Sequence, residues 1–399
     1  MVPKLSRDLK LIIAIQGLRK VSDLFFGTFL ISFIMQTTTH EILSIGMYEL
    51  FTNVVLMAGF VMVGAWAKRH NKIAVLVWNQ IVKIGLLAAI MVLGDNAVQY
   101  TVSLGIAWGL VSALYWIPMH TMIGERVVAA QMPRFVGLKT TVQNLAKILS
   151  PVVLGIFITA GSYPQMAGAL IGVSVLELII IMGWRPSYHR SQQPLELIGF
   201  IRCLRRFPVI KKLFLVEILR GFSTSGALST IITMYTVYMF HTDLKLGALG
   251  TLFAICSMIT TWGFSRIARA TSFSKMLSVC AAAIFVGMGL FVGHTTPMTF
   301  LIYNFMYATA ICLLEQICET NTYTLSKSPC VDRDHQTEYF IARDGALFIG
   351  RWASYVGMLY IGVFGDASWL RYYLILMMVA IVAAARCAMG IAPHMRRHA

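Results

Sequence analysis

Long apolar runs follow one another along the chain, separated by short polar and basic clusters. A bilayer core is about 30 Å thick, and about 20 apolar residues cross it as a helix. By that measure the chain holds twelve spans. Six lie at residues 11–36, 44–67, 73–93, 98–122, 136–160 and 164–184. Six more lie at 209–240, 247–268, 273–293, 297–320, 338–364 and 369–390. The strands of an outer-membrane barrel alternate apolar and polar positions over about half that length. The runs here do not, so the pattern predicts an all-α polytopic membrane protein.

The pattern also repeats. The stretch from Gln16 to Gly46 matches the stretch from Glu217 to Gly247, 201 positions later. Leu18-Arg19 answers Leu219-Arg220, Ser22 answers Ser223, His40 answers His241 and Gly46 answers Gly247. Each stretch carries an arginine about midway along an apolar run. An ionisable side chain at that depth costs roughly 2.5–3.5 kcal/mol to insert, so it normally faces a cavity or a partner. The same feature at matched places predicts a duplicated protein with a central site between its halves.

Composition agrees with membrane residence. Of the 399 residues, 58% are hydrophobic and 13% charged, against about 25% charged in soluble domains. Mean hydropathy is +0.73. The net charge of +16 would suggest nucleic acid in a soluble protein. Here the basic residues sit in short loops, and the positive-inside rule accounts for them. One side collects Lys4, Arg7, Lys10, Lys68, Arg69, Lys72, Arg126, Arg134, Arg185, Arg190, Arg202, Arg205 and Arg206. Lys211, Lys212, Arg266, Arg269, Lys275, Lys327, Arg333, Arg396 and Arg397 join them. The other side has little beyond Lys245 and Arg371. Both termini are therefore expected in the cytoplasm, and the short basic N-terminus leads into a retained first span. No nucleic-acid partner is expected. The seven cysteines show neither metal-ligand spacing nor a disulfide framework, and no metal or cofactor is expected. No phosphate-binding glycine-lysine-serine/threonine loop occurs either.

These readings divide the chain into a first bundle at 1–184, a linker at 185–208 and a second bundle at 209–399. In the linker, Leu197, Ile198, Ile201 and Leu204 share a helical face beside arginines. That predicts an amphipathic helix on an anionic lipid surface, with a regulatory segment as the alternative.

Six spans, a basic linker and six similar spans resemble the major facilitator superfamily over nearly the whole chain. The run Gly64-Ala65-Trp66-Ala67-Lys68-Arg69 after the second span resembles a family motif, with Lys68 where aspartate is usual. Ser150-Pro151-Val152-Val153-Leu154-Gly155 in the fifth span resembles a glycine-proline motif of drug-exporting antiporters, with Ser150 and Leu154 at glycine positions. The resemblance implies twelve helices in two pseudo-twofold-related six-helix bundles. It further implies alternating access around a central site, a working monomer and a small-molecule substrate moved with protons or another ion. Short loops and a compact linker suggest a bacterial inner membrane.

The candidate chemistry lies on the first and seventh spans, which the resemblance places at the cavity. Gln16, Arg19 and Asp23 share one helical face, as do Glu217, Arg220 and Thr224. Arg19 and Arg220 would then form an anion site with Gln16 and Thr224 beside them, because guanidinium forks onto carboxylate or phosphate. The alternative is local pairing, Arg19 with Asp23 and Glu217 with Arg220. Asp23, Glu217, Glu49 and Glu315 are candidate proton carriers. Glu125, Lys139, Lys147, Glu319, Arg343, Asp344 and Arg351 form an expected gating or structural network, with Arg351 the deepest. Lys83 and Glu177 receive no role. The competing readings are a multidrug-type proton antiporter, a membrane sensor and a lipid-modifying enzyme. The chain has no recognised nucleophile-base arrangement, so an enzyme is not expected.

Overall fold

A backbone in lipid has no water to bond, so each span must satisfy its own amides and carbonyls, and a helix does so internally. The computed structural model describes residues 6–38, 40–160, 163–185, 193–204, 206–240, 243–267, 273–328, 331–365 and 368–391. Among these the chain is helical, without strands. In the first half α1 is Arg7–Leu24, followed by a π-helical turn at Phe25–Phe29 and by α2, Leu30–Thr37. Next come α3 (Glu41–Arg69), α4 (Lys72–Leu93), α5 (Thr101–Arg126), α6 (Met132–Ala160) and α7 (Tyr163–Gly183). The linker helix α8 is Leu197–Leu204. The second half holds α9 (Pro208–Phe222), α10 (Leu228–Phe240), α11 (Asp243–Ile267), α12 (Phe273–Gly293), α13 (Pro297–Leu325), α14 (Gln336–Phe364) and α15 (Trp369–Met389). Each of the twelve expected spans corresponds to one helix or to a broken pair.

Local sequence explains the helix ends. Ser6 Oγ accepts the Leu9 amide at 3.4 Å and starts α1. Asn71 caps α4 through the Ile73 amide at 2.9 Å. Thr296 and Thr299 form a reciprocal capping box, with Pro297 at the first position of α13, where its missing N–H costs nothing. Gly94 closes α4 at φ 55°, a conformation that favours glycine.

The two halves pack in the same way. In the first, α3 lies on α5, α1 on α6 and α4 on α7. In the second, the equivalent pairs are α11 on α13, α9 on α14 and α12 on α15. The two most extensive interfaces between the halves are α3 on α14 and α6 on α11, and the repeat exchanges one with the other. The break between α1 and α2 also recurs between α9 and α10, at residues 223–227. Both first helices are thus interrupted just beyond their arginine.

Glycines set the closest crossings. A Cβ on Gly221 would clash with the Leu347 carbonyl, and one on Gly350 with the Ile218 carbonyl, so α9 and α14 touch backbone to backbone.

The linker carries the short helix α8. Phe200 and Leu204 are buried, Phe200 stacks on His335 at 5.4 Å, and Ile198 is 77% exposed. Phe200 and Leu204 of α8 thus cover the protein's own helix ends beside His335, while Ile198 faces outward. Arg190, Arg205, His241, Arg269, Asp366, Arg396 and Arg397 lie outside the described residues.

Candidate functional site

The ends of the helices that carry the basic loops form one face of the molecule, and here the halves are held together. Lys68 of α3 pairs with Glu338 of α14 across the interface, both buried. The linker joins this contact: Lys68 Nζ donates to the Pro194 carbonyl at 3.2 Å, and the Glu196 amide donates to Glu338 Oε1 at 3.4 Å. The resemblance expected an acid at position 68. The structure has the cation there and the acid on the facing helix. Deeper in, Lys139 of α6 pairs with Glu319 of α13. His120 Nδ1 lies 2.7 Å from the Tyr323 hydroxyl, and its Nε2 lies 4.0 Å from Asp344 Oδ2.

Above these contacts a cavity of about 330 Å³ lies between the halves. Its wall carries Lys20 and Asp23 of α1, Lys139 of α6, Arg220 of α9, Glu315 and Glu319 of α13, and Arg343, Asp344 and Arg351 of α14. Its apolar and aromatic lining includes Met57, Phe60, Trp116 and Phe348. The volume suits a small organic molecule.

Every carboxylate on the wall has a cation. Asp23 takes Arg19 Nε at 2.9 Å. Glu315 takes Arg220 on both oxygens, Nε at 3.3 Å and Nη2 in a closer contact, and receives the Thr224 hydroxyl at 2.7 Å. Glu319 takes Lys139. Asp344 takes Arg343 Nη1 at 2.6 Å. Beneath the wall, fully buried Glu217 joins Arg220 at 2.8 Å and Arg343 at 3.1 Å, and accepts the Thr322 hydroxyl at 3.1 Å.

Two wall cations remain. Arg351 forms no ion pair among the described residues. Its Nη1 donates weakly to Asn53 Oδ1 at 3.4 Å and its buried Nε has no partner. Glu49 and Tyr355 flank it. Lys20 has neither an ion pair nor a hydrogen bond among the described residues. It was not singled out from the sequence, although it stands four residues from Gln16 and three from Asp23 and so shares their face.

Several expected residues lie elsewhere. Arg19 is 1% exposed and off the cavity wall. It sits inside the first half, 4.3 Å from the Trp108 ring centroid and 4.8 Å from that of Tyr115, with Ser112 Oγ at 3.0 Å. The expected Arg19–Arg220 pair facing one ligand is therefore not assembled in this structure. Local pairing of both arginines is what occurs, because aromatic rings and Asp23 hold Arg19 on the inward side of α1. Gln16 is buried and accepts from Gln143 Nε2 at 3.4 Å. Glu125 pairs with Lys72 within the first half. Lys83 and Glu177 form a fully buried pair at 2.6 Å between α4 and α7. Lys147 lines a second cavity, of about 290 Å³. Among the described residues no group of three His, Cys, Asp or Glu side chains is placed to hold a metal ion.

Solved structures share this arrangement. The human organic anion transporter MFSD10 (TETRAN) superposes with a TM-score of 0.74 at 10% identity, covering 96% of this chain and 100% of that one. A bacterial homologue of the iron transporter ferroportin, in its outward-facing state, gives 0.70 at 13% identity, with 97% and 100% covered. The same protein with soaked iron gives 0.69 at 13%, with 97% and 99% covered. These likenesses concern the fold. A search of curated protein sequences finds no match. The family model of the Major Facilitator Superfamily matches residues 21–325, more than half of the chain. With its repeated helices and its central cavity, the chain belongs to the major facilitator superfamily of secondary transporters.

Proposed function

We propose that this protein moves a small organic anion or zwitterion across a cell membrane by alternating access, coupled to protons. The observation that carries the reading is the charge on the cavity wall: each carboxylate there has its cation, while Lys20 and Arg351 form no ion pair among the described residues. An uncompensated charge away from water is costly, and intramembrane charges of this kind mark substrate pathways. An anion entering the cavity supplies what the two cations lack. Arg351 offers a fork for a carboxylate, and Lys20 a point charge from the opposite half.

Glu315 supplies the coupling. It shares Arg220 with Glu217 and faces the cavity, so a substrate acid competes with it for that guanidinium. Displaced, Glu315 takes a proton; restored, it gives the proton up. Asp23 stands in the same relation to Arg19 on the other wall. Glu217, buried behind the wall, and the half-buried Glu49 are further carriers. The pairs Lys68–Glu338 and Lys139–Glu319 span the two halves and close the basic face, to be broken when that face opens. The loop charges support cytoplasmic termini in a bacterial inner membrane, and the superfamily supports a working monomer. Export of amphipathic compounds is the second reading, favoured by the apolar lining of the second cavity.

The test is the thermal stability of purified protein with succinate, benzoate, phosphate, choline and tetraphenylphosphonium. A ligand that binds only the folded state stabilises it by about 2.7 kcal/mol at a hundred times its dissociation constant. Stabilisation by an anion, reduced in both Arg351→Gln and Lys20→Gln, is the expected result. Stabilisation by tetraphenylphosphonium alone, unchanged in both variants, overturns the anion reading.

A further inference from the structure

The second cavity differs in character from the first. It lies between α6 and the Leu24–Phe29 turn of one half and α10, α11 and α13 of the other. Phe29, Ile232, Leu249, Phe253, Ala308 and Ile311 form much of its wall. Its polar side chains are largely turned away from a ligand. Thr233 and Thr236 donate to the carbonyls of Ser229 and Ile232 at 3.0 and 2.8 Å. Ser257 donates to the Ala308 carbonyl at 3.0 Å, and Asn304 to the Phe300 carbonyl at 2.9 Å. Of the groups able to bond a ligand, Lys147 is the charged one. It has no ion pair and no hydrogen bond among the described residues. Gln143, one turn earlier on α6, lines the first cavity, so Lys147 stands where the two cavities approach each other.

We propose that the second cavity holds the apolar body of an amphipathic organic monoanion whose acid group meets Lys147. The inference rests on the transport reading above and narrows its substrate class. An apolar pocket with one ammonium at its edge rewards a ligand that is hydrocarbon at one end and anionic at the other. A polar dianion gains nothing from the apolar wall, and a neutral hydrocarbon leaves Lys147 without its counter-charge. The size agrees: a cavity of about 150 Å³ holds benzene. At about 290 Å³, this one has room for a two-ring body or a medium-length chain.

Binding is to be measured by calorimetry on the full chain in phosphatidylcholine nanodiscs, with empty discs subtracted so that no anionic lipid competes. The probes are propionate, pentanoate, heptanoate, 2-naphthoate, 2-naphthalenemethanol, succinate and tetraphenylphosphonium. Each methylene moved from water to an apolar wall is worth about fourfold in affinity, so each two-carbon step is expected to gain roughly fifteenfold. Gly250→Leu adds a bulky side chain at the cavity wall, where a Cβ at Gly250 meets nothing within 4 Å. In that variant the chain-length gain is expected to vanish while propionate binds as before. In Lys147→Met, 2-naphthoate is expected to weaken at least tenfold while 2-naphthalenemethanol binds as before. Three outcomes overturn the proposal. If succinate and propionate bind and chain length changes nothing, the second cavity is not part of the site, though the anion reading stands. If the neutral alcohol binds wild type as tightly as the acid, Lys147 is not the acid's partner. If only tetraphenylphosphonium binds, this inference and the anion reading both fail.

Discussion

Replacing Glu338 by glutamine tests the closure of the basic face. The side chains of Lys68 and Glu338 are 3% and 0% exposed, so solvent screens the pair little. Glutamine keeps the shape and one acceptor oxygen for the Glu196 amide, but leaves the Lys68 ammonium buried against a neutral group. Removing one partner of a buried pair costs about 3–5 kcal/mol. That cost falls only on the closed arrangement, because an open face lets water reach Lys68. At about 1.4 kcal/mol per tenfold, the ratio of closed to open molecules drops between roughly a hundred and a few thousand times. The assay is a spin-label distance between His70→Cys at the end of α3 and Lys275→Cys near the start of α12, both exposed, in a background without native cysteines. Glu338→Gln is expected to move the distribution to longer distances, and Lys68→Met with Glu338→Leu to return it toward the wild-type distance. An unchanged distribution in Glu338→Gln would refute the reasoning, because the pair would then not hold the two halves together.

Lys83→Met strands a fully buried Glu177 carboxylate and is expected to cost about 3–5 kcal/mol, seen as a marked fall in apparent Tm. The double variant Lys83→Met, Glu177→Leu is expected to recover most of that loss. Gly350→Ala drives a methyl into the α9 backbone and is expected to cost about 1–3 kcal/mol, whereas Gly250→Ala enters open space and is expected to leave Tm unchanged. Arg351→Gln removes the wall guanidinium that has no ion pair among the described residues and is expected to weaken anion binding about 10- to 150-fold in equilibrium titration, the equivalent of about 1.5–3 kcal/mol for a charged hydrogen bond.

Much of the architecture was legible because lipid imposes a length and a helix on every span. The twelve runs and their duplication survive in the structure down to the matched interruption of α1 and α9. The interruption itself has little sequence signature, since a π-helical turn in Phe25–Phe29 looks like any other apolar run. The site was legible only in part. Spacing tells which residues share a helical face, but not toward what that face turns. Arg19 and Lys20 are neighbours about 100° apart on α1, and the structure turns Arg19 into the first half and Lys20 toward the cavity. Only the packing of Trp108 and Tyr115 against the guanidinium decides this, and those residues lie on another helix. The linker shows the same limit. Its amphipathic pattern calls for burial, and nothing in that pattern names His335 as the ring on which Phe200 stacks. The acid facing Lys68 is 270 positions away, beyond the reach of any local pattern.

The most direct test of proton-coupled anion transport is made in proteoliposomes with a trapped pH dye, under a gradient of benzoate or 2-naphthoate. Protein-free vesicles correct for passive entry of the protonated acids. Wild type is expected to move protons in step with the anion, and Glu315→Gln to exchange labelled anion across the membrane while moving no protons. Anion movement in wild type with no proton signal, or a proton signal preserved in Glu315→Gln, would contradict the role given to the Arg220–Glu315 pair.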